Sequence, residues 1–267
     1  ISGNGCLSGT AASCTGGLVL LYCGTDPNTG LRMSNSTVSG NEGSGITVNS
    51  CIVDIDNATI YGNTGYGINI YSGALLPPRA RNTIFAHNGL QDCNIVPGLD
   101  FNLNYNLSSD ESCDLNPTVI DKVNTDPELY PLGTYDPVAP SITRTHAPKW
   151  DSPVIDEGGS LNNLPTDDQE GYPRPMDGNQ NAIASYDMGA IEVVPCVADV
   201  DEFIRYETVA DGVRQACNQL YVGPNVVIDG TFMHFMARHA VSFTKEIAVK
   251  KGTAFSVNLV RWAGQPL

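Results

Sequence analysis

Basic residues are scarce in this sequence, and their scarcity excludes several classes of function. The 267-residue chain carries 14 Lys and Arg residues against 29 Asp and Glu residues, which gives a net charge of −15. An acidic chain of this kind repels nucleic acid and anionic membrane surfaces, so neither is expected as a partner. Divalent cations fit the charge better than polyanions do.

Long apolar runs are also missing. No stretch reaches the roughly 18 apolar residues that a membrane-spanning helix needs, so we predict no membrane span. The chain opens without a basic region followed by an apolar one, and a targeting signal is therefore expected only outside this sequence.

The sequence has few of the motifs that mark catalytic sites. It holds no Gly-x-Ser-x-Gly elbow and no phosphate-binding loop. A lyase acting on acidic polysaccharides needs a Lys or Arg base, usually with Ca²⁺ on clustered carboxylates, and a hydrolase needs paired carboxylates. Residues 1–130 contain four basic residues, namely Arg32, Arg79, Arg81 and Lys122. We expect Arg79 and Arg81 to form a solvated corner, with a substrate clamp as the alternative. The sequence leans against an enzyme without deciding the question.

Cysteine is present in an even number and without a Cys-x-x-Cys pair. Zinc, thioredoxin-type and haem sites are therefore disfavoured, and disulfides are favoured. Disulfides imply an exported protein. The eight cysteines are Cys6, Cys14, Cys23, Cys51, Cys93, Cys113, Cys196 and Cys217.

One short phrase occurs three times, as NSTVSGNEGSGITV (35–48), NATIYGNTGYGINI (57–70) and NTIFAHNGLQDCNI (82–95). Apolar residues two positions apart recur in each copy, which is the period of a strand. A repeat of 20-odd residues is typical of a solenoid, in which each turn buries its apolar face on its neighbours. Short strands broken by Gly and Asn favour a parallel β-helix.

The aligned phrases place asparagines in two columns. The first column holds Asn35, Asn57 and Asn82, and the second holds Asn41, Asn63 and Asn88. Stacked asparagines can hydrogen-bond to one another and to turn backbone, and Asn tolerates the left-handed conformation of a sharp corner. We therefore predict structural ladders. N-glycosylation of Asn35, Asn57 and Asn106 is the disfavoured alternative. His87 replaces the glycine of the repeat and is expected at a surface corner.

Five strings follow the repeats in the order NYNLSSDESC, NTDPELYPLG, SPVIDEGG, TDDQEGYPRP and ASYDMGAIE. They resemble the C-terminal part of bacterial parallel β-helix surface proteins of the choice-of-anchor Q type, relatives of the polymorphic outer-membrane proteins, over residues 33–192. The resemblance implies an all-β protein whose right-handed parallel β-helix occupies residues 1–192 and ends at DMGAIE. It also implies export to the cell surface or the medium, no defined catalytic activity, and a Cys93–Cys113 disulfide. We then expect Cys6–Cys14 and Cys196–Cys217, which leaves Cys23–Cys51.

In residues 193–267 the sequence changes to short apolar segments that alternate with turns. This region is similar to the small β-rich module that follows such β-helices in some bacteria. The Met and Ala content of FMHFMARHAVSF would suit a helix. Apolar alternation favours strands instead. The alternating residues are Val226, Ile228, Phe232, Phe235, Val241, Phe243, Ile247, Val249, Phe255 and Val257.

The string DGNQNAIASYD suggests a binding site for a calcium ion, which is the cofactor that we consider for this chain. Asp177, Asn179 and Asn181 alternate as oxygen ligands do in calcium loops, and Asp187 could close the shell. The resembling family often has a string richer in Asp here, and two Asn in place of Asp lower the affinity. The alternative is a polar turn without a metal.

These observations predict an exported structural, surface-display or adhesion protein. Ile1 falls in the middle of a repeat phrase, so the first coil is expected to leave a strand edge for upstream coils or for another copy of the chain, which would build a filament. The alternative is a polysaccharide lyase or hydrolase, or a glycan-binding module, with glycans as partners.

Overall fold

A computed structural model describes most of the chain. The described residues are 16–23, 30–71, 77–99, 101–115, 120–133, 143–149, 151–195, 202–204, 208–209, 212–216, 219–223, 226–228, 232–237, 240–243, 247–251 and 253–259. All regular elements among them are β-strands, and they stack into a β-solenoid of roughly seven turns. The predicted all-β solenoid is confirmed.

The first four turns share two parallel sheets. Sheet one contains β1 (Leu18–Leu21), β3 (Ile46–Asn49), β5 (Ile68–Ile70) and β8 (Cys93–Ile95), in that order. Sheet two contains β2 (Gly30–Ser39), β4 (Ile52–Tyr61), β6 (Arg79–Arg81), β7 (Ile84–Ala86), β9 (Asn102–Asn104) and β10 (Leu107–Ser108). Each residue pairs with its counterpart one turn later, as the repeat predicts.

A left-handed residue divides the second sheet in every turn. Asn35, Asn57 and Asn82 have φ angles of 46°, 49° and 49°, and Tyr105 takes this position in the fourth turn with φ 57°. The part before the corner we call the arginine face, formed by residues 30–34, 52–56, 79–81 and 102–104. The part after it we call the strap face, formed by residues 36–39, 58–61, 84–86 and 107–108.

The core of this solenoid consists of stacked aliphatic side chains. Val38, Ile60 and Phe85 form one fully buried column, and Ile46 and Ile68 belong to another that continues into Cys93. Columns arise because strand pairing places the same apolar position of each phrase above its counterpart. Each turn therefore depends on its neighbours for burial.

The residues that the structure describes between 120 and 195 form no extended strand, and we call them the strap. Isolated bridges such as Leu129 with Pro148 and Met176 with Ser185 order this segment locally. The strap lies on the strap face, where Val154 and Met188 pack against Ile84 in a second apolar cluster. It thus covers the outer side of a sheet whose inner side faces the core.

Three further turns follow in residues 202–259. Their sheets are β11-β14-β17, β12-β15-β18 and β13-β16-β19, all parallel. The strands are β11 (Glu202–Ile204), β12 (Thr208–Val209), β13 (Gly212–Ala216), β14 (Gln219–Val222), β15 (Val226–Ile228), β16 (Phe232–Ala237), β17 (Ala240–Phe243), β18 (Ile247–Val249) and β19 (Ala254–Leu259). The described residues of FMHFMARHAVSF therefore form two strands, 232–237 and 240–243, as the alternation predicts. The β-rich module is itself a parallel solenoid.

The last named strand of the first solenoid is β10, and Lys122 adds one parallel bridge to Leu107 in the strap. The strings from NTDPELYPLG to DMGAIE lie in the strap, and the expectation that the β-helix extends to DMGAIE stays a prediction. The disulfides Cys23–Cys51 and Cys93–Cys113 are both present. The other two expected pairs, Cys6–Cys14 and Cys196–Cys217, lie outside the described residues.

Candidate functional site

The second asparagine column is a continuous hydrogen-bonded row inside the solenoid. Asn41 Nδ2 donates to Asn63 Oδ1 at 2.8 Å, and Asn63 Nδ2 donates to Asn88 Oδ1 at 3.0 Å. The backbone N–H groups of Asn41 and Asn63 donate to the same two acceptors at 3.1 Å. Asn41 and Asn63 are fully buried. Their amides connect one turn to the next, which is a structural role.

The row ends on a carboxylate. Asn88 Nδ2 donates to Asp92 Oδ1 at 2.9 Å, and Asp92 Oδ2 accepts hydrogen bonds from Ser108 Oγ and from Ser109 N and Oγ at 2.7–3.0 Å. Asp92 is only 1% exposed. The groups that contact its two side-chain oxygens are donors, so Asp92 terminates the row as an acceptor.

The first asparagine column behaves differently. Asn35, Asn57 and Asn82 occupy the left-handed corners, but each Nδ2 donates to a backbone carbonyl of the strap. Asn82 makes a reciprocal pair, because its Oδ1 accepts the Gly159 N–H at 2.9 Å. These asparagines hold the strap to the corners. The sequence could not reveal this, because the partners lie 77 to 132 residues away.

The burial of two candidate asparagines disfavours N-glycosylation. Asn57 and Asn106 are fully buried, and the Asn106 amide donates to the carbonyl of Ala80 at 3.0 Å. An acceptor amide must be accessible to carry a glycan. In the folded chain these amides are structural.

A buried charged network closes the strap. The Arg174 guanidinium donates to Glu192 Oε2 at 2.7 Å and to the carbonyls of Asp187 and Gly189. The side chains of Arg174 and Glu192 are 0% and 1% exposed. Asp168 joins through Oδ2, which accepts the Glu192 N–H at 2.9 Å. We call Arg174, Glu192, Asp187 and Asp168 the strap lock.

The strap lock connects two of the strings that carry the resemblance. Asp168 and Arg174 belong to TDDQEGYPRP, and Asp187 and Glu192 belong to ASYDMGAIE. Burial raises the pKa of Asp187, and the charge of Glu192 raises it further. Burial also raises the pKa of Glu192 to about 7, against the opposing effect of Arg174. One arginine thus balances two buried carboxyl groups.

The residues of the calcium hypothesis do not all meet. The Asp177 carboxylate accepts the N–H groups of Asn181 and Ala182, each at 2.9 Å, and Asn179 Oδ1 accepts the Asn181 N–H at 3.0 Å. Asp187 belongs to the strap lock and accepts the N–H groups of Asp156 and Val193 instead. Calcium binding stays a prediction, and the observed contacts are those of a polar turn.

Asp156 also contacts this turn, and the sequence analysis did not identify it. Its Oδ2 accepts the Asn179 N–H at 2.7 Å. Burial raises its pKa, and the charge of Asp177 contributes in the same direction. Its place in SPVIDEGG, 21 residues before Asp177, gave no signal of this proximity. Among the described residues, no three His, Cys, Asp or Glu side chains form a group that could hold a metal ion.

The arginine face consists of ion pairs between neighbouring turns. Arg79 binds Asp54 through two hydrogen bonds of 2.9 and 2.7 Å, and Arg81 binds Asp56 through two of 2.6 Å. Arg81 also donates to the carbonyl of Asn162. A clamp for an acidic sugar needs a cation available to the substrate, whereas both guanidiniums are already matched by a carboxylate in bidentate geometry.

A serine and a histidine meet beneath the strap. Ser39 Oγ lies 2.7 Å from His146 Nε2, and His146 Nδ1 donates to the carbonyl of Tyr130 at 2.9 Å. This resembles the pairing that activates a serine nucleophile. Both side chains are buried, at 3% and 4% exposure, and burial lowers the pKa of His146 to about 4. A nucleophile without access to solvent cannot meet a substrate, so the pair is a strap contact.

Comparison with known proteins gave no match to a family model, a curated protein or a solved structure. The assignment to the choice-of-anchor Q type therefore stays a prediction, while the β-solenoid is established by the strand pairing. Within the described residues, no helix could span a membrane. The two disulfides are compatible with an exported protein.

The last turn of the second solenoid presents apolar side chains to solvent. Phe243, Val249 and Val257 are 43%, 42% and 40% exposed. They pair in register with inward-facing residues of the preceding turn that are fully buried, namely Val222, Ile228 and Phe235. The exposed residues therefore continue the inward-facing columns of the preceding turn into the last turn that the structure describes.

A cleft lies beside β2. It has a volume of about 730 Å³, and among the described strands β2 pairs with β4 alone. Apolar residues Leu18, Leu31 and Met33 line it together with Arg144 and Gln169 of the strap. Core side chains thus border this cleft.

Proposed function

We propose that the protein is an exported structural element that displays or connects surfaces by stacking end to end. The observation that carries the proposal is the row of Val249 and Val257, which continue two buried columns into the last turn that the structure describes and are 42% and 40% exposed. Parallel coils gain stability when another coil covers such a row, because burial of apolar area is favourable at about 25 cal/mol per Å².

The cleft beside β2 supports a second copy as the partner. A head-to-tail contact would bring the apolar row of one chain to the apolar lining of this cleft in the next chain. Contacts of this type do not close on themselves and generate filaments. Two disulfides and stacked turns are properties that suit a structural protein outside the cell.

Size-exclusion chromatography with light scattering at increasing protein concentration tests the proposal. We expect the apparent mass to rise with concentration, and Val257→Lys to abolish the rise because a charge would be buried in the contact. Val194→Lys is the matched control, since Val194 is equally exposed at 40% but belongs to the strap. A wild-type mass of one chain at every concentration would refute end-to-end assembly.

A further inference from the structure

Exposed tyrosines lie at one border of sheet one. Tyr22 follows β1 and is 74% exposed, and Tyr71 follows β5 and is 58% exposed. Asn49 and Ser50 lie between them, at the end of β3. Backbone bonds continue the sheet pairing here, from Tyr22 N to Asn49 O at 2.9 Å and from Tyr71 N to Val48 O at 3.0 Å.

We call this border the tyrosine rim, and it comprises Leu21, Tyr22, Asn49, Ser50 and Tyr71. Leu21 pairs with Asn49 and is 58% exposed. The residues of the next row inward on β3 and β5, Thr47 and Asn69, are 6% and 2% exposed. On β3 and β5 the accessible surface therefore lies at the rim. The two tyrosines are separated by the width of one intervening strand, or roughly 10 Å between backbones.

A disulfide fixes the shape of the rim. Cys23 follows Tyr22 directly, Cys51 follows Ser50 directly, and the two cysteines are bonded. Tyr22 and Ser50 both adopt left-handed conformations, with φ 54° and 57°. Ser50 Oγ also donates to Asn49 Oδ1 at 3.1 Å. Groups held in place before binding lose little entropy when a ligand arrives, which favours recognition of weakly interacting ligands.

The chemistry of the rim is uncharged, although the chain carries a net charge of −15. The four strands of sheet one have the sequences LVLL, ITVN, INI and CNI, without a charged residue. Exposed phenol rings offer an apolar face and a polar tip, and the neighbouring amide and hydroxyl can donate and accept hydrogen bonds. Sugar rings present the complementary combination of apolar C–H faces and hydroxyl groups.

We propose that the tyrosine rim binds a neutral oligosaccharide, with Tyr22 and Tyr71 stacking on separate sugar rings and Asn49 and Ser50 hydrogen-bonding to hydroxyls between them. The absence of charge in these strands gives a polyanionic glycan nothing to pair with, and the net charge of the chain repels it. The site lies on the side of the stack and is independent of the end-to-end assembly. Its success or failure therefore leaves that proposal unchanged.

Affinity gel electrophoresis tests the proposal with defined probes. The neutral probes are hydroxyethyl cellulose, arabinoxylan, galactomannan and glycol chitin, and the acidic probes are pectate and alginate. We expect at least one neutral probe to retard the protein and the acidic probes not to retard it. Salt at about 0.5 M should leave the retardation by the neutral probe unchanged, because salt screens charge interactions and not the stacking of rings. Tyr71→Ala and Tyr22→Ala should each weaken binding about tenfold, the loss of one ring contact.

Ile183→Ala is the control variant, because Ile183 is 67% exposed but belongs to the strap. It should bind as the wild type does, and circular dichroism should show the same fold for all three variants. The proposal is overturned if no neutral probe retards the wild type. It is equally overturned if Tyr71→Ala binds as tightly as Ile183→Ala, or if retention occurs only on acidic probes and disappears with salt. A protein ligand in place of a glycan would give the first of these results.

Discussion

Replacement of Asn63 by alanine should weaken the solenoid more than any exposed polar substitution in the same turns. The Asn63 side chain donates to Asn88 Oδ1 and to the Val38 carbonyl, and it accepts from the Asn41 N–H and Nδ2. These four hydrogen bonds join three successive turns. Asn63 is 0% exposed, so water cannot replace the lost partners without entering the core.

The expected magnitude follows from these contacts. A single intramolecular hydrogen bond contributes about 0.5–1.5 kcal/mol, and a buried group left without its partner costs about 1–3 kcal/mol. Four bonds therefore predict a loss of roughly 3–5 kcal/mol for Asn63→Ala, allowing for partial relaxation of the neighbours. Total stabilities are about 5–15 kcal/mol, so the variant should be close to the limit of folding.

Urea unfolding followed by circular dichroism measures this loss, provided the disulfides stay oxidised. The matched control is Asn94→Ala, because Asn94 Nδ2 makes one bond of 2.8 Å, to Asn69 Oδ1, at a half-buried position. We expect a loss of about 1 kcal/mol there. Amide hydrogen exchange at Asn41 should accelerate in Asn63→Ala only. Equal losses in the two variants would show that the buried row does not hold the turns together.

Four further predictions concern the strap and the end of the asparagine row. Arg174→Ala should cost about 3–5 kcal/mol, because it leaves two buried carboxyl groups without their cation, and thermal unfolding should show a larger loss at pH 8 than at pH 5. Burial raises the pKa of Glu192 from 4.5 to about 7, so its contribution to stability is complete below pH 4.5 and is lost as the pH rises through 7. Wild type should thus lose stability between pH 5 and 8 relative to Glu192→Gln, and a parallel pH profile would contradict this. Gly189→Ala should destabilise more than Gly171→Ala in the same melts, because both glycines have positive φ but only the former would place a Cβ 2.7 Å from Ile84. Asp92→Asn should lower the free energy of unfolding in urea by about 1–3 kcal/mol, because the new amide N–H group would face groups that now donate hydrogen bonds to Asp92. An unchanged urea midpoint would refute the assignment of Asp92 as the end of the asparagine row.

The repeat made the first solenoid predictable. Its phrases fix which residues stack, because strand pairing with a constant offset leaves little freedom in the register. The repeat aligns Val38, Ile60 and Phe85, and these residues form one buried column. The left-handed corner could be predicted too, since Asn tolerates positive φ. His87 fits the same logic, with φ 55° where the other copies have glycine.

The rest of the molecule depends on contacts that carry no periodic signal. The second solenoid pairs Leu220 with Val241 and Phe235 with Val257, so its turns share apolar character without a common phrase. The candidate calcium ligands were assigned from spacing alone. Spacing could not reveal that the Asp187 carboxylate accepts the N–H groups of Asp156 and Val193, because these contacts form only in the folded strap.

The distance along the chain between the strap and the strap face has a consequence for the order of folding. Turns of the solenoid join residues 22 to 25 positions apart, whereas the strap joins Thr37 to Thr145 and Asn57 to Asp187, 108 and 130 positions apart. Closing the longer loops costs more entropy and slows folding. During synthesis the first turns can stack as they emerge, with Thr59 and Ile84 still facing water. The strap face must therefore remain soluble until residues 154–190 arrive, and this interval is when the chain is most open to pairing with the wrong partner.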